Sequence, residues 1–455
     1  MAEPQRMSST STIAVEELQI GMFVHLEGGW LSHPFPLSSF RLVSAEQIAT
    51  IRGLGLARVR WSPEKSTHLQ GGGTLTGAET RPGAASAAPG AGAASGAAVA
   101  ADAPAAPTAA ELAARRHREL LTAQRETQQQ CERQFGEAAQ AWRTAVDFAA
   151  ARPGDARQSG EQLTRALLDK LRVSEDVGIR LVASAGGDRA AAHALNVTVI
   201  SLLLGRTLGL GEDDMQDLGL GALLHDLGKT ELPERVRHLE PGASSAEVNA
   251  YRDHVAKGVA LGRRMEIGQG ALTVIAQHHE HADASGFPLR IGGDRMTAAS
   301  RIVAIVNRYD NLCNPPGRVP PLTPHEAVAM LFAQGRGRYD ASVLNAFIRM
   351  MGVYPAGSLV QLTDDRFAMV VGVNSTRPLK PRVLVHDPKV PRNEALLLNL
   401  EETPDVGIRR SLTAGKLPPA SLEYLDPRPR VAYFFEPLAP AAGAAQVTTG
   451  AEVPA

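Results

Sequence analysis

Two short stretches hold residue types that could do chemistry together. The first is Leu223-Leu224-His225-Asp226-Leu227-Gly228-Lys229, and the second, further along the chain, is Gln277-His278-His279-Glu280. An imidazole next to a carboxylate, with an ammonium on the following helical turn, offers ligands for a divalent cation and a clamp for a phosphoryl oxygen. Of the chain's 13 histidines, seven fall between His193 and His281. A lone histidine on an apolar helix is usually a satisfied core residue. His193, His225, His254, His278 and His279 grouped with Asp226 are harder to read that way, because neutral imidazoles plus a carboxylate are what borderline divalent metals take. A carboxylate between two metal positions can also bridge them.

Lys229 lies four residues after His225, on the same helix face. It either complements the dipole at a helix C-terminus or steadies a phosphate beside the metals. Gly228 removes a side chain where a ligand could approach.

The elements that must hold these residues can be read from composition and period. At 455 residues the chain is too long for one ordinary core. Hydrophobic residues at 44%, charged residues at 21% and a net charge of -1 give no field to attract nucleic acid or anionic membrane, so any anion binding is local. Cys131 and Cys313 stand far apart, which suits a reducing cytosol and argues against a disulfide scaffold. Met1 to Thr12 lack the apolar run of a secretory signal, and no stretch reaches the roughly 20 apolar residues of a membrane span. The expectation is a soluble cytoplasmic protein.

The organisation expected is multidomain. Residues 13–66 read as a small α/β domain, with a Ser44-to-Gln47 capping box opening a helix and Ala57 to Trp61 closing as a strand. His25 and His33, near Trp30 and Phe35, read there as packing or surface residues. Residues 67–108 are Ala/Gly/Pro-rich without period and read as a disordered linker. A helical connector follows over 109–157, whose long helix either docks on its own domain or serves signalling and homodimer formation. Residues 158–351 read as helix after helix, an all-α core. Short alternating strands over 352–438 form a β-rich C-terminal extension, and 439–455 is a disordered tail.

The order His193, His225-Asp226-Leu-Gly-Lys229, His254, His278-His279-Glu280, Asp283 and Ser285-Gly286-Phe287-Pro288 resembles the HD-GYP subgroup of HD-domain metal phosphohydrolases over about residues 185–350. Residues 13–66 are similar to the small uncharacterised domain often found ahead of HD-GYP domains in bacteria. The resemblance implies hydrolysis of cyclic di-GMP to the linear dinucleotide or GMP, in bacterial second-messenger signalling. It implies two divalent ions, iron or manganese, held by His193, His225, Asp226, His254, His278 and His279. Asp226 and Lys229 would be catalytic, Lys229 also gripping the phosphate. Glu280 and Asp283 would support the turn, and the Ser285 to Pro288 loop would shape the ligand face and meet partners such as diguanylate cyclases.

The chain departs from that pattern at five places. Phe287 stands where the signature has tyrosine, and Ala284 replaces a family glycine, which matters if that residue needs positive φ. Asn307 stands where the family usually has a metal-binding aspartate, offering a neutral carbonyl oxygen instead of a carboxylate. The family's nucleotide-contacting Arg-Pro-Tyr-Lys-like segment reads Asn314-Pro-Pro-Gly-Arg318, with Arg318 the candidate replacement. Arg189, where some members have glutamate, fits two metals rather than three. Two expectations follow: an active cyclic di-GMP phosphodiesterase, or a degenerate module that binds cyclic dinucleotide or partner proteins without efficient catalysis.

Overall fold

The computed structural model describes residues 11–26, 39–66, 108–173, 177–182 and 188–437, in two compact units. Trp30, His33 and Phe35, the linker as far as residue 107 and the C-terminal tail lie outside the described residues.

The first unit is built on strands β1 (Ser11–Ala14), β2 (Phe23–His25), β3 (Ser39–Arg41) and β4 (Arg58–Trp61) with helix α1 (Ala45–Gly53). The strands form an antiparallel sheet in the order β1-β4-β2-β3. The Ser44 hydroxyl accepts the Gln47 backbone N–H, and the Gln47 side chain accepts that of Val43, which starts α1 and turns Ile48 and Ile51 inward. His25 lies 2.8 Å from the Ser39 hydroxyl through Nδ1 and 2.8 Å from that of Ser62 through Nε2, so it is the structural histidine expected.

Helix α2 (Ala109–Phe148) has its first residues in this unit and continues into the second from Leu121. There it is no solvated connector: Phe135, Ala138, Trp142 and Ala145 are buried on one face. The Trp142 indole N–H donates to the Leu223 carbonyl at 2.9 Å, close to the residues of interest. Its apolar positions are sparse in sequence because alanine and glutamine fill much of the contact face.

The second unit continues with α3 (Pro153–Val173), strand β5 (Val177–Val182), α4 (Arg189–Thr207), α5 (Glu212–Leu224), the short α6 (Glu234–Arg237), α7 (Ser245–Arg264), α8 (Gln269–Gln277), α9 (Ala298–Cys313), α10 (Pro324–Gln334) and α11 (Ala341–Met351). Helix α4 is buried almost all round, with Val197, Val199, Ile200 and Leu202 at 0% exposure, and α5, α9 and α11 pack against it. Strands β6 (Leu359–Leu362), β7 (Phe367–Asn374), β8 (Arg382–Val385), β9 (Leu398–Asn399) and β10 (Ile408–Leu412), helix α12 (Pro419–Leu425) and strand β11 (Ala432–Pro437) complete it.

A helical core, a small N-terminal α/β unit and C-terminal strands agree with the fold expected. One detail corrects it. The stretch read as helix throughout contains β5, which joins the C-terminal sheet in the antiparallel order β10-β6-β7-β5-β11. The C-terminal strands pack on the helical domain and share its core. Tyr433 and Phe434 of β11 are fully buried in the same core as α4, because β5 lies in the chain before the helices and its sheet partners lie after them.

Candidate metal centre

Six elements bring the residues of interest together. His193 comes from α4, His225 and Asp226 follow the last turn of α5, and Lys229 lies in a 3-10 turn (Leu227–Glu231). His254 comes from α7, His278 and His279 close α8, and Asn307 and Asp310 lie on α9. Gly228 lets the 3-10 turn reach α7. A Cβ there would sit 1.9 Å from the His254 carbonyl oxygen and 2.4 Å from the Gly258 nitrogen. The glycine serves backbone packing rather than ligand access, which corrects the expectation.

Four histidines have their tautomers set by what they touch. Nδ1 of His225, His254 and His278 lies 2.7, 2.5 and 2.7 Å from the carbonyl oxygens of Ala222, Tyr251 and Ile275, each three residues earlier. Nδ1 of His193 lies 2.6 Å from Asp310 Oδ2. These oxygens only accept, so each Nδ1 carries a proton and each ring, when neutral, presents its Nε2 as a lone pair.

Those lone pairs converge. His193 Nε2 and His225 Nε2 are 3.1 Å apart, and His254 Nε2 and His278 Nε2 are 3.3 Å apart. Two acceptors at that distance repel unless a cation lies with them. Asp226 stands between the pairs: Oδ2 is 3.5 Å from His193 and 3.4 Å from His225, while Oδ1 is 3.5 Å from His254 and 3.8 Å from His278. Asp226 Oδ1 and His279 Nε2 are buried without a hydrogen-bond partner, which is costly for polar atoms inside a protein. The ligand atoms form two groups able to hold an ion, His193 with His225 and Asp226, and Asp226 with His254, His278 and His279. The donor chemistry fits divalent metal, with Asp226 common to both groups.

The electrostatics suit a cation too. Burial, then neighbouring imidazoles, holds His278 and His279 well below the usual histidine range, and burial lowers His254. Burial works to raise the Asp226 pKa, but Lys229, His225 and His254 outweigh it and keep the carboxylate ionised. Burial likewise works against the Lys229 ammonium, and Asp226 at 2.6 Å reverses the effect and raises its pKa. The same ammonium lies 5.2 Å from the centre of the Tyr251 ring.

The following loop is supported rather than liganding. The buried Glu280 carboxylate accepts the backbone N–H groups of Leu289, Arg290 and Ile291 at 2.6, 3.1 and 3.2 Å. Asp283 is exposed and accepts the Ser285 N–H at 2.9 Å, while the Ser285 hydroxyl is 3.0 Å from His281 Nδ1. Gly286 passes so close to the chain that a Cβ would meet Glu280 Cα and the His279 carbonyl oxygen at 2.5 Å. The turn therefore lays Phe287 flat on His279, with ring centroids 4.4 Å apart, and leaves Pro288 exposed.

A cleft of ≈ 650 Å³ opens over Lys229, His278, His279, Phe287 and Asn307, and a second cavity of ≈ 230 Å³ over His193, Asp226 and Lys229. Asn307 is buried, and its side-chain oxygen accepts from Asn311 at 2.7 Å. Arg318 lines neither space. It is exposed, with its backbone N–H 3.4 Å from Glu240, because the Pro-Pro-Gly turn carries it outward. The cleft's arginines are Arg237, Arg308 and Arg338, with Arg189 in the second cavity. Sequence reasoning passed over Arg308 and Arg338. It also passed over the part played by Asp310, Asn196 and Asn314, for which the only local signal was Asn196 one turn after His193.

The chain is similar to several known proteins. A family model described as a domain of unknown function (DUF3391) matches residues 10–158, and one described as HD domain matches residues 177–343. A cyclic di-GMP phosphodiesterase of Pseudomonas aeruginosa is 26% identical over 379 residues, 82% of this chain and 84% of that protein. The cyclic di-GMP phosphodiesterase response regulator RpfG of Xanthomonas campestris is 32% identical over 151 residues, 32% of this chain and 39% of that protein. Among solved structures, a protein of Bdellovibrio bacteriovorus described as HDG"Y"P matches with a TM-score of 0.38 at 13% identity, over 74% of this chain and 98% of that one. The chain therefore carries a DUF3391 domain ahead of an HD domain.

Proposed function

We propose that this chain is a divalent-metal-dependent phosphodiesterase that hydrolyses cyclic di-GMP, the substrate named for the Pseudomonas and Xanthomonas relatives. The observation that supports it most is the double convergence of imidazole lone pairs on the two oxygens of Asp226, with Lys229 beside them. His193 and His225 with Asp226 Oδ2 would hold one ion, iron or manganese, and His254, His278 and His279 with Oδ1 a second. Bound there, such ions supply Lewis acidity to a phosphoryl oxygen and lower the pKa of water. The chain's own part is to turn Nε2 of His193, His225, His254 and His278 inward through their Nδ1 partners, and to keep an ammonium at Lys229 for a non-bridging phosphate oxygen. Phe287 shields His279 from water.

The reading includes a cytoplasmic setting, since both cysteines are free and buried, and no helix among the described residues is long and apolar enough to cross a membrane. It also includes contact with diguanylate cyclases through the 285–288 loop, where the neighbouring Leu289 is 70% exposed, and a homodimer through exposed Leu112 and Leu120 of α2. The test is to load the full chain with manganese or iron, count bound ions, and follow cyclic di-GMP by chromatography with Asp226→Ala as the blank. Turnover equal to that blank sinks the proposal.

One observation favours the second reading, a module that binds nucleotide or partner without efficient turnover. The position of the family's aspartate holds Asn307, whose oxygen is already taken by Asn311. On that reading Asn307→Asp raises ion occupancy and turnover together.

A further inference from the structure

We infer that the C-terminal strand β11, together with Val431 just ahead of it, positions one half of the metal centre and leaves the other half to stand alone. The inference rests on the two-ion reading above and goes beyond it in assigning Asn196 and Asn314 as positioning residues.

Three of the four Nε2 ligands that face one another are oriented locally. His225, His254 and His278 each grip the carbonyl three residues earlier in their own segment. His193 is different. Its Nδ1–H goes to Asp310, on another helix, so the direction of its Nε2 is only as firm as that carboxylate.

Asp310 is held in turn by two asparagine amides. Its Oδ1 accepts from Asn196 Nδ2 at 2.7 Å and from Asn314 Nδ2 at 2.8 Å. Each amide spends its other N–H on the Val431 carbonyl, at 3.0 Å from Asn196 and 2.9 Å from Asn314. Each amide oxygen also accepts a backbone N–H, Asn196 from Tyr433 at 2.8 Å and Asn314 from Val431 at 2.9 Å. With two donors and an acceptor used apiece, neither amide can turn without stranding a partner, and Asn196 and Asp310 are both wholly buried. Strand β11 is itself pinned by β5, Ala432 opposite Val182 and Tyr433 opposite Leu181. A line of hydrogen bonds thus runs from the C-terminal sheet to one ligand of one ion position.

The consequence is asymmetric. Loosening this clamp should weaken the ion at His193 and His225 by about 10–100-fold, the usual cost of losing a partner that orients a ligand. The group of His254, His278 and His279 should be untouched. The experiment uses the full chain, Asn314→Ala and Asn196→Ala, each metal-stripped, loaded with Mn²⁺ and dialysed. Bound ions per chain are counted, and electron paramagnetic resonance separates a coupled pair from an isolated ion.

The expected result is one ion fewer than wild type and an isolated-ion spectrum, with the thermal midpoint of the metal-free Asn314→Ala chain close to wild type. Asn314 caps α9 and is partly exposed, so this variant decides the matter if the buried Asn196→Ala fails to fold. Equal stoichiometry and affinity in wild type and Asn314→Ala overturns the inference alone. A wild-type chain that binds no Mn²⁺ overturns the two-ion reading, and the inference with it.

Discussion

The ring of His279 lies against that of Phe287, centroids 4.4 Å apart and planes 22° from parallel. His279 Nε2 has no hydrogen-bond partner, so the stack is what holds this imidazole toward Asp226. Stacked aromatic pairs are worth about 0.5–1.5 kcal/mol beyond their buried area. Phe287→Ala should therefore weaken metal binding by roughly 2- to 12-fold, by the same energies. Phe287→Tyr keeps the ring and should bind metal as wild type does. Chelator competition measures both, and equal affinity in Phe287→Ala would show that the stack does not hold His279.

Ala284 has φ of 61°, in the left-handed region that favours glycine. The strain of about 1–2 kcal/mol is partly offset, for glycine, by the larger entropy of its unfolded chain. Ala284→Gly should stabilise the protein by about 0.5–1 kcal/mol. Denaturant unfolding at constant metal reads this as a higher midpoint with unchanged slope, and a lower midpoint contradicts it.

Much of the candidate site was legible because its ligands come in local runs: His225-Asp226 and His278-His279 each end a helix, so neighbours in sequence reach one place. The family's preference for glycine at Ala284 turned out to mark a positive φ. The support for His193 was not legible. Its partner Asp310 lies on another helix, and the clamp on Asp310 ends at the backbone of Val431, which no side-chain pattern reports. Strand β5 escaped for a similar reason. Val177 to Val182 is a short apolar run whose identity as strand depends on partners near Gly372 and Tyr433.

Lys170 is buried in the core, its ammonium 2.8 Å from the Gln134 amide oxygen and 5.9 Å from the centre of the Phe434 ring. Burial pushes its pKa down to about 7, against the opposing pull of Cys131 and Glu137. In the unfolded chain a lysine titrates near 10.4, so between about pH 7 and 10 the unfolded state binds more protons and this group's contribution to stability rises with pH. Cys131, raised to about 11 by burial and then by Glu436, works in the opposite sense above about pH 8.5, the ordinary thiol value. Comparing wild type with Lys170→Met isolates the lysine. The variant should be more stable at pH 7 by a few kcal/mol at most, roughly 1–3, and its advantage should shrink toward pH 10. A stability difference that stays constant across that range contradicts the assignment.

Arg308 and Arg338 line the ≈ 650 Å³ cleft, and neither guanidinium makes a hydrogen bond or ion pair among the described residues. Lys229, by contrast, is committed to Asp226 at 2.6 Å. A cyclic dinucleotide carries two phosphates, of which only the one being cut can lie at the metal centre. The free arginines offer the other phosphate a charge-assisted partner in a different part of the cleft. A contact made equally in ground and transition states raises KM when lost and leaves kcat alone. Arg308→Ala and Arg338→Ala should each raise KM about 10-fold, near 1.4 kcal/mol, with kcat within about 2-fold. The effect should narrow as salt rises, because both side chains are exposed and screened. Steady-state kinetics on cyclic di-GMP at low and high salt checks this. A fall in kcat at unchanged KM would instead place the arginines in the transition state, and no change in either constant would remove them from substrate binding.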